Sequence, residues 1–177
     1  QNGFTPLHEA LLEGKLNIAH ILIAHGSRVD LKAAAALGDE RTVARFLNLY
    51  EMDTFKLKNR GGTALAFAAR NGQTTIMRQL LDAGALVNSK TNDMRPLYYA
   101  VNNDHSKTIE LLLGSKANTT DPIGSSYNGM TLLHYATLHN KTNALELLLK
   151  NGVDPEVLNY DEETPLHLAA QYNQLKA

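Results

Sequence analysis

The sequence predicts an all-α solenoid of stacked helix-turn-helix units with short β-hairpin fingers between them. Three observations predict it. A four-residue block recurs as Thr5-Pro6-Leu7-His8, Thr63-Ala64-Leu65-Ala66, Arg95-Pro96-Leu97-Tyr98, Thr131-Leu132-Leu133-His134 and Thr164-Pro165-Leu166-His167. A residue that tolerates a left-handed backbone follows each block at a nearly fixed distance: Gly14, Gly72, Asp104, Asn140 and Asn173. A second segment then carries Ile or Val and paired Leu at helical spacing, as in Ile76-Met77-Arg78-Gln79-Leu80-Leu81.

The block leucines stand at 7, 65, 97, 133 and 166. The interval from 7 to 65 is too long for one unit and short for two. Leu31-Lys32-Ala33-Ala34-Ala35, with Gly38 after it, aligns with Leu166-His167-Leu168-Ala169-Ala170 and supplies the missing unit. The spacings become 24, 34, 32, 36 and 33, which gives six units in one domain over 1–177. Their approximate bounds are 1–30, 31–57, 58–89, 90–125, 126–158 and 159–177, the last incomplete. The chain begins at Gln1 and stops partway through the pattern, so it reads as an excerpt of a longer protein.

Each unit is expected to begin with a Thr N-cap, whose hydroxyl accepts an orphan amide hydrogen bond. Pro follows at the first helical position, where its missing N–H is harmless. Leu-x-x-Ala-Ala puts an apolar stripe on one face, and Ala lets helices approach closely. The stop residues then turn the chain through positive φ. The second helix ends at Gly26, Gly84 and Gly152. The units ending near Tyr50 and Lys116 lack that glycine, so looser or differently shaped ends are expected there. Polar stretches at 88–93 and 125–129 suit the fingers. Between the first two units Val29-Asp30 runs straight into Leu31, so that finger is absent.

Composition narrows the function. Hydrophobic residues make up 44% of the 177, enough for a packed core. With 17 Lys plus Arg against 18 Asp plus Glu, the net charge of −1 argues against nucleic-acid binding. The absence of Cys removes disulfides, zinc–thiolate sites and thiol nucleophiles. No apolar run approaches a membrane span. Phosphate-cradling Gly motifs and the Gly-x-Ser-x-Gly elbow are missing. Within the chain's two histidine pairs, His20/His25 and His134/His139, the partners are five residues apart, the wrong spacing for ligands on one helix face. The expectation is therefore no enzyme, no cofactor and no metal. Asp161, Glu162 and Glu163 read as a solvated run.

The Thr-Pro-Leu-His…Ala-Ala…Gly…Leu-Leu…Gly pattern resembles the ankyrin repeat over essentially the whole chain. It is clearest at 163–170 and 3–8 and weakest in the second unit, where 29–39 resembles ankyrin-type proteins common in bacteria. The resemblance implies a scaffold that binds another protein through its concave face and finger tips. It implies a structural role for His8, His134 and His167 in the block, bonding to nearby backbone. It places contacts at Asn59, Arg60, Gly62, Arg70 and Asn71; at Thr91, Asn92, Met94, Asn102 and Asn103; at Tyr127, Asn128, Met130, Leu138 and His139; and at Tyr160, Asp161, Glu163, Gln171 and Tyr172.

Among these, Tyr127, Met130, Leu138, His139, Tyr160, Tyr172, Met94, Arg60 and Arg70 are the candidate partner-binding residues. Tyr and Arg are enriched in binding hot spots and Met adapts to irregular surfaces. The aromatic, Met and Leu side chains are expected to stand exposed, and the Tyr127 and Tyr160 rings to be removable without loss of stability. The expected partner is a protein, with no nucleic acid and no membrane span, and the expected state is a monomer in the cytoplasm. The alternative is a regulatory or targeting arm of a larger enzyme, channel or secreted effector whose active part lies elsewhere, a bacterial effector then being secreted into a host cell.

Overall fold

The computed structural model describes residues 4–50 and 54–172, with side chains for all of these except 49–50 and 54–61. Eleven helices follow one another among the described residues: α1 Pro6–Leu12, α2 Leu16–Ala24, α3 Leu31–Leu37, α4 Glu40–Tyr50, α5 Thr54–Arg70, α6 Thr74–Asp82, α7 Pro96–Asn102, α8 Ser106–Gly114, α9 Leu132–Leu138, α10 Thr142–Lys150 and α11 Pro165–Gln171. The odd-numbered helices pack side by side in chain order, α1 on α3 through α9 on α11. The even-numbered helices α4, α6, α8 and α10 do the same. The core lies between these two layers and between successive units, where Leu7, Leu65, Leu97 and Leu133 are at most 1% exposed. No strand occurs among the described residues. The fingers show β pairing only as the isolated bridge between Thr91 and Met94.

Local chemistry sets where the inner helices start. Thr5, Thr131 and Thr164 are extended N-caps, each answered by a His three residues on. The Thr backbone N–H donates to the His Nδ1 at 3.0 Å in Thr5–His8, 3.2 Å in Thr131–His134 and 3.1 Å in Thr164–His167. Because Nδ1 accepts, the ring hydrogen sits on Nε2 and points out of the unit. His134 Nε2 donates to the Glu163 carbonyl at 2.9 Å, which ties the fifth unit to the sixth. These histidines are structural, as the sequence implied.

The stop turns are left-handed at every described position. Their φ values are 72° at Gly14, 79° at Gly38, 68° at Gly72, 54° at Asp104 and 51° at Asn140, while Asn173 lies outside the described residues. Gly72 has a second constraint, since a Cβ there would crowd the His105 ring at 3.3 Å.

Two sequence expectations are corrected. Lys116 was expected to leave a looser helix end. It adopts φ 62° instead. Its N–H reaches Leu113 O at 3.0 Å and the Ala117 N–H reaches Leu112 O at 2.9 Å, the pattern made at Gly152 and Val153. The capping hydrogen bonds impose the turn on a side chain for which it costs about 1–2 kcal/mol. Thr63 was expected to cap a helix after a finger at 59–62, but α5 runs unbroken from Thr54 to Arg70. Gly-Gly breaks helices by propensity, at about 1 kcal/mol per Gly, yet tertiary packing overrides it here. A Cβ on Gly62 would overlap the Ser89 side chain, so glycine is what lets the segment after α6 lie against α5.

The first two units meet without a finger, and Asp30 does the work of one. Its Oδ1 caps α3 by accepting the Ala33 N–H at 3.0 Å and accepts His8 Nε2 at 3.0 Å, in place of a neighbouring backbone carbonyl. Burial pushes the Asp30 carboxyl upward, but the hydrogen bonds from His8 and Ala33 and the Lys32 charge outweigh it and hold the group at about 2. A carboxylate held below its unfolded value, about 3.9, stabilises the fold above that value. The contribution is lost as pH falls toward about 2. Acid unfolding followed by circular dichroism is expected to show part of the stability disappearing between about pH 4 and pH 2. Asp30→Asn is expected to flatten that window, and Asp30→Ala to cost about 0.5–2 kcal/mol at neutral pH.

Candidate functional site

Side-by-side packing of the inner helices aligns equivalent residues into a strip. Arg70, Asn102, Leu138 and Gln171 follow the block leucine by five residues, and Asn71, Asn103, His139 and Tyr172 by six. Much of this strip is bound internally. Asn71 Nδ2 donates to Phe67 O at 3.0 Å and Leu11 O at 3.3 Å, and Asn103 Nδ2 donates to Tyr99 O at 2.9 Å. Asn102 accepts the Tyr135 hydroxyl. Arg70 is half-buried, and its backbone carbonyl is bonded by His105 Nε2 at 3.1 Å.

An aromatic cluster sits beside the strip. Tyr98 packs edge-on to Tyr135 at 5.1 Å and lies 6.0 Å from Tyr127, with the Tyr98 and Tyr127 hydroxyls 3.0 Å apart. Tyr135 carries the His139 ring at 4.2 Å. Tyr99 donates to Thr91 O at 2.7 Å. Burial raises the Tyr98 and Tyr135 phenols. The hydrogen bond with Tyr98, which holds the Tyr127 hydroxyl as a donor, and then burial, push Tyr127 up to about 12. These hydroxyls therefore stay protonated near neutral pH. Burial lowers the His139 imidazole, and the Lys141 charge lowers it further.

The segments before α7, α9 and α11 interlock. Asp93 accepts the Ser125 N–H at 2.6 Å and Lys90 Nζ at 3.0 Å, which holds its carboxyl well below the usual range. Arg95 Nη2 bonds Asp121 at 2.5 Å, and Asn128 Nδ2 bonds Asp161. The Tyr160 ring lies against Gly129, where a Cβ would overlap it. An open cleft of about 270 Å³ runs between Lys90, Asp93, Arg95, Asp121, Ser125 and Tyr160.

The candidate residues divide by placement. Tyr160 and Tyr172 are 74% and 56% exposed. His139 is exposed at its outer edge, while Met94, Met130, Leu138, Tyr127 and Arg70 are half-buried. Met94 leans on Gly124. Arg60 falls within α5 rather than on a finger, and its side chain lies outside the described residues. Tyr127 corrects the expectation of a free tip, because it folds back onto the core through Tyr98 and Tyr135. The anchoring tyrosines 98, 99 and 135 were missed. The signal was present: Tyr98 fills the block position that His holds in three other units. Among the described residues no group of three His, Asp or Glu could hold a metal, and no helix is long and apolar enough to cross a membrane.

Comparison with known proteins agrees with this architecture. Family models for ankyrin repeats in three copies match residues 31–123 and 114–177, and a single ankyrin repeat matches residues 2–34. The chain is 32% identical over 142 residues to the transient receptor potential channel pyrexia of Drosophila melanogaster, covering 79% of the chain and 14% of the channel. It is 31% identical over 164 residues to human transient receptor potential cation channel subfamily A member 1, covering 85% of the chain and 15% of that protein. A putative ankyrin repeat protein of Rickettsia bellii is 31% identical over 132 residues, covering 73% of the chain and 18% of the relative. The chain thus spans less than a fifth of each of these relatives.

Packing of Tyr127 sets an expectation for stability. Tyr127→Ala is expected to cost about 1–2 kcal/mol in denaturant unfolding, from lost ring contacts and the lost hydroxyl pair. Tyr127→Phe, which keeps the ring, is expected to cost about half as much.

Proposed function

The chain belongs to the ankyrin-repeat family, and on that premise we propose that it is a protein–protein interaction module that holds a partner against its concave inner strip and finger tips. The observation that carries this reading is the outward display of Tyr160 and Tyr172. Large aromatic rings left in water by a rigid stack are costly surface unless a partner covers them. Met94, Met130, Leu138 and His139 lie in the same C-terminal half and would surround the contact, with Tyr127 supporting it from beneath and Arg70 and Arg60 on α5 extending it. The Thr91–Met94 bridge, and the Asn159 N–H to Glu163 O bond at 3.0 Å, support reading the segments before α7 and α11 as hairpin fingers. Six units with the sequence-derived bounds remain part of this reading. It assigns the chain no catalytic step and no cofactor, a monomeric state and a cytoplasmic location.

A second reading keeps the module but makes it the regulatory or targeting arm of a longer enzyme, channel or secreted effector. The two channel relatives, of which the chain covers 14% and 15%, favour it. In both readings the surface does the same physical work.

The test is an affinity capture with the purified chain, read by mass spectrometry, comparing wild type with Tyr160→Ala/Tyr172→Ala. Unfolding of the double variant is expected within about 1 kcal/mol of wild type, since both rings are largely exposed. A protein held by the wild type and lost with the variant supports the reading. Identical capture by both would place the contact elsewhere, and no specific capture would speak against a binding module.

A further inference from the structure

The outer helix of the first unit exposes a face that later outer helices seal. Four residues past the left-handed stop stand Ile18 on α2, Ile76 on α6, Thr108 on α8 and Ala144 on α10. The last three are at most 1% exposed, on helices that each pack against the outer helix of the preceding unit. Thr42, at the same place on α4, is half-buried. Ile18 is 47% exposed, and Ile21, one turn further along α2, is 59% exposed. With half-buried Leu22 they form a stripe at the i, i+3 and i+4 spacing of a helix-packing face. A repeat that closes a stack needs a polar outer face there, and this one is apolar.

The inner helix of the same unit carries an independent sign. Two residues past the block leucine, the later units bury Ala33, Phe67, Tyr99, Tyr135 and Leu168, all at most 6% exposed. The first unit has Glu9 in that place, and Glu9 is exposed. This position looks toward the preceding unit. The Tyr135 hydroxyl donates to Asn102, which stands five residues past the block leucine of the unit before it. Arg70 holds the same place one unit earlier, and its charge is felt at Tyr99. A carboxylate at the Glu9 position therefore calls for a hydrogen-bond donor or a cation at the place that Asn102 and Arg70 occupy.

We propose that α1 and α2 form an interior face of a longer stack, covered by a further two-helix unit from the segment that precedes this domain in the natural protein. Its outer helix lies over Ile18, Ile21 and Leu22, continuing the layer of α4, α6, α8 and α10. Its inner helix sets an Asn, Gln, His, Lys or Arg opposite Glu9, five residues past its own block leucine. The apolar stripe and the carboxylate stand in the register that the described inter-unit contacts use, so one unit of this form satisfies both. The inference does not depend on the protein-binding reading, since it concerns the end of the stack rather than the concave strip.

The test is thiol labelling of the full natural protein with a maleimide, comparing Ile18→Cys with Asn17→Cys by mass spectrometry of the labelled peptide. Residues 1–177 contain no Cys, so the introduced thiol is the only one in this region. Asn17 takes the outward position that Thr75, Lys107 and Asn143 expose in later units, and its variant is expected to label rapidly. The Ile18→Cys thiol is expected to label at least about tenfold more slowly, because it reacts only when the stack opens locally. Removing the segment before residue 1 should bring the two rates together. If the shortened protein fails to fold, the sequence of that segment decides. A block leucine about 33 residues before Leu7 is expected, followed five residues later by a donor or a cation. Equal labelling in the full protein would overturn the inference. So would an Ile18→Cys thiol that stays slow once the segment is removed, which would point to a second copy or another partner. An acidic or apolar residue at the fifth position, or a natural chain with nothing before this domain, would overturn it too.

Discussion

A helix of seven to eleven residues cannot bury its own apolar stripe, and in this chain the neighbouring unit buries it. The block leucines show the consequence, since Leu7, Leu65, Leu97 and Leu133 are sealed from solvent at the same position in four different units. Everything else serves that burial. The left-handed turns at Gly14, Gly38, Gly72, Asp104 and Asn140 return the chain so that two helices stack as one layer pair. The Thr–His caps close the helix start and direct Nε2 at the next unit. Where a finger is missing, Asp30 combines the cap and the inter-unit acceptor in one oxygen. The result is a stack whose rigidity comes from repetition rather than from a central core.

Much of this was legible because it depends on local chemistry repeated in register. A positive-φ turn asks for Gly, Asn or Asp, and the spacing of those residues located five described turns. The histidine slot was legible for the same reason, being defined by its distance from the capping Thr. The misreadings came where backbone hydrogen bonds or packing override the preference of the residue itself. Lys116 holds a turn that its own propensity disfavours, because hydrogen bonds to Leu112 and Leu113 impose it. Gly62 looked like a finger and lies inside α5, because Ser89 from a later segment takes the room its missing side chain leaves.

The candidate site was legible in outline, with its depth misjudged. Family register put Tyr127 and Tyr160 at equivalent positions, yet one ring folds onto Tyr98 and Tyr135 while the other stays 74% exposed on Gly129. The difference lies in the neighbours: Tyr127 meets tyrosines on α7 and α9, and Tyr160 meets a glycine. Arg70 could be placed on the strip from sequence, but its unpartnered Nε shows only once the acceptors around it are counted. An interaction module built this way presents side chains fixed by their own packing, so a partner meets a largely pre-formed surface.

If burial between units holds the stack together, the most direct measurement is the unfolding of Leu133→Ala in denaturant, followed by circular dichroism. Leu133 is 1% exposed on α9, the helix that packs against α7, α10 and α11. The expected result is a loss of about 2–5 kcal/mol, the usual effect of a cavity in a close-packed core. A loss below about 0.5 kcal/mol, the size of an ordinary surface substitution, would contradict inter-unit burial as the force that organises this protein.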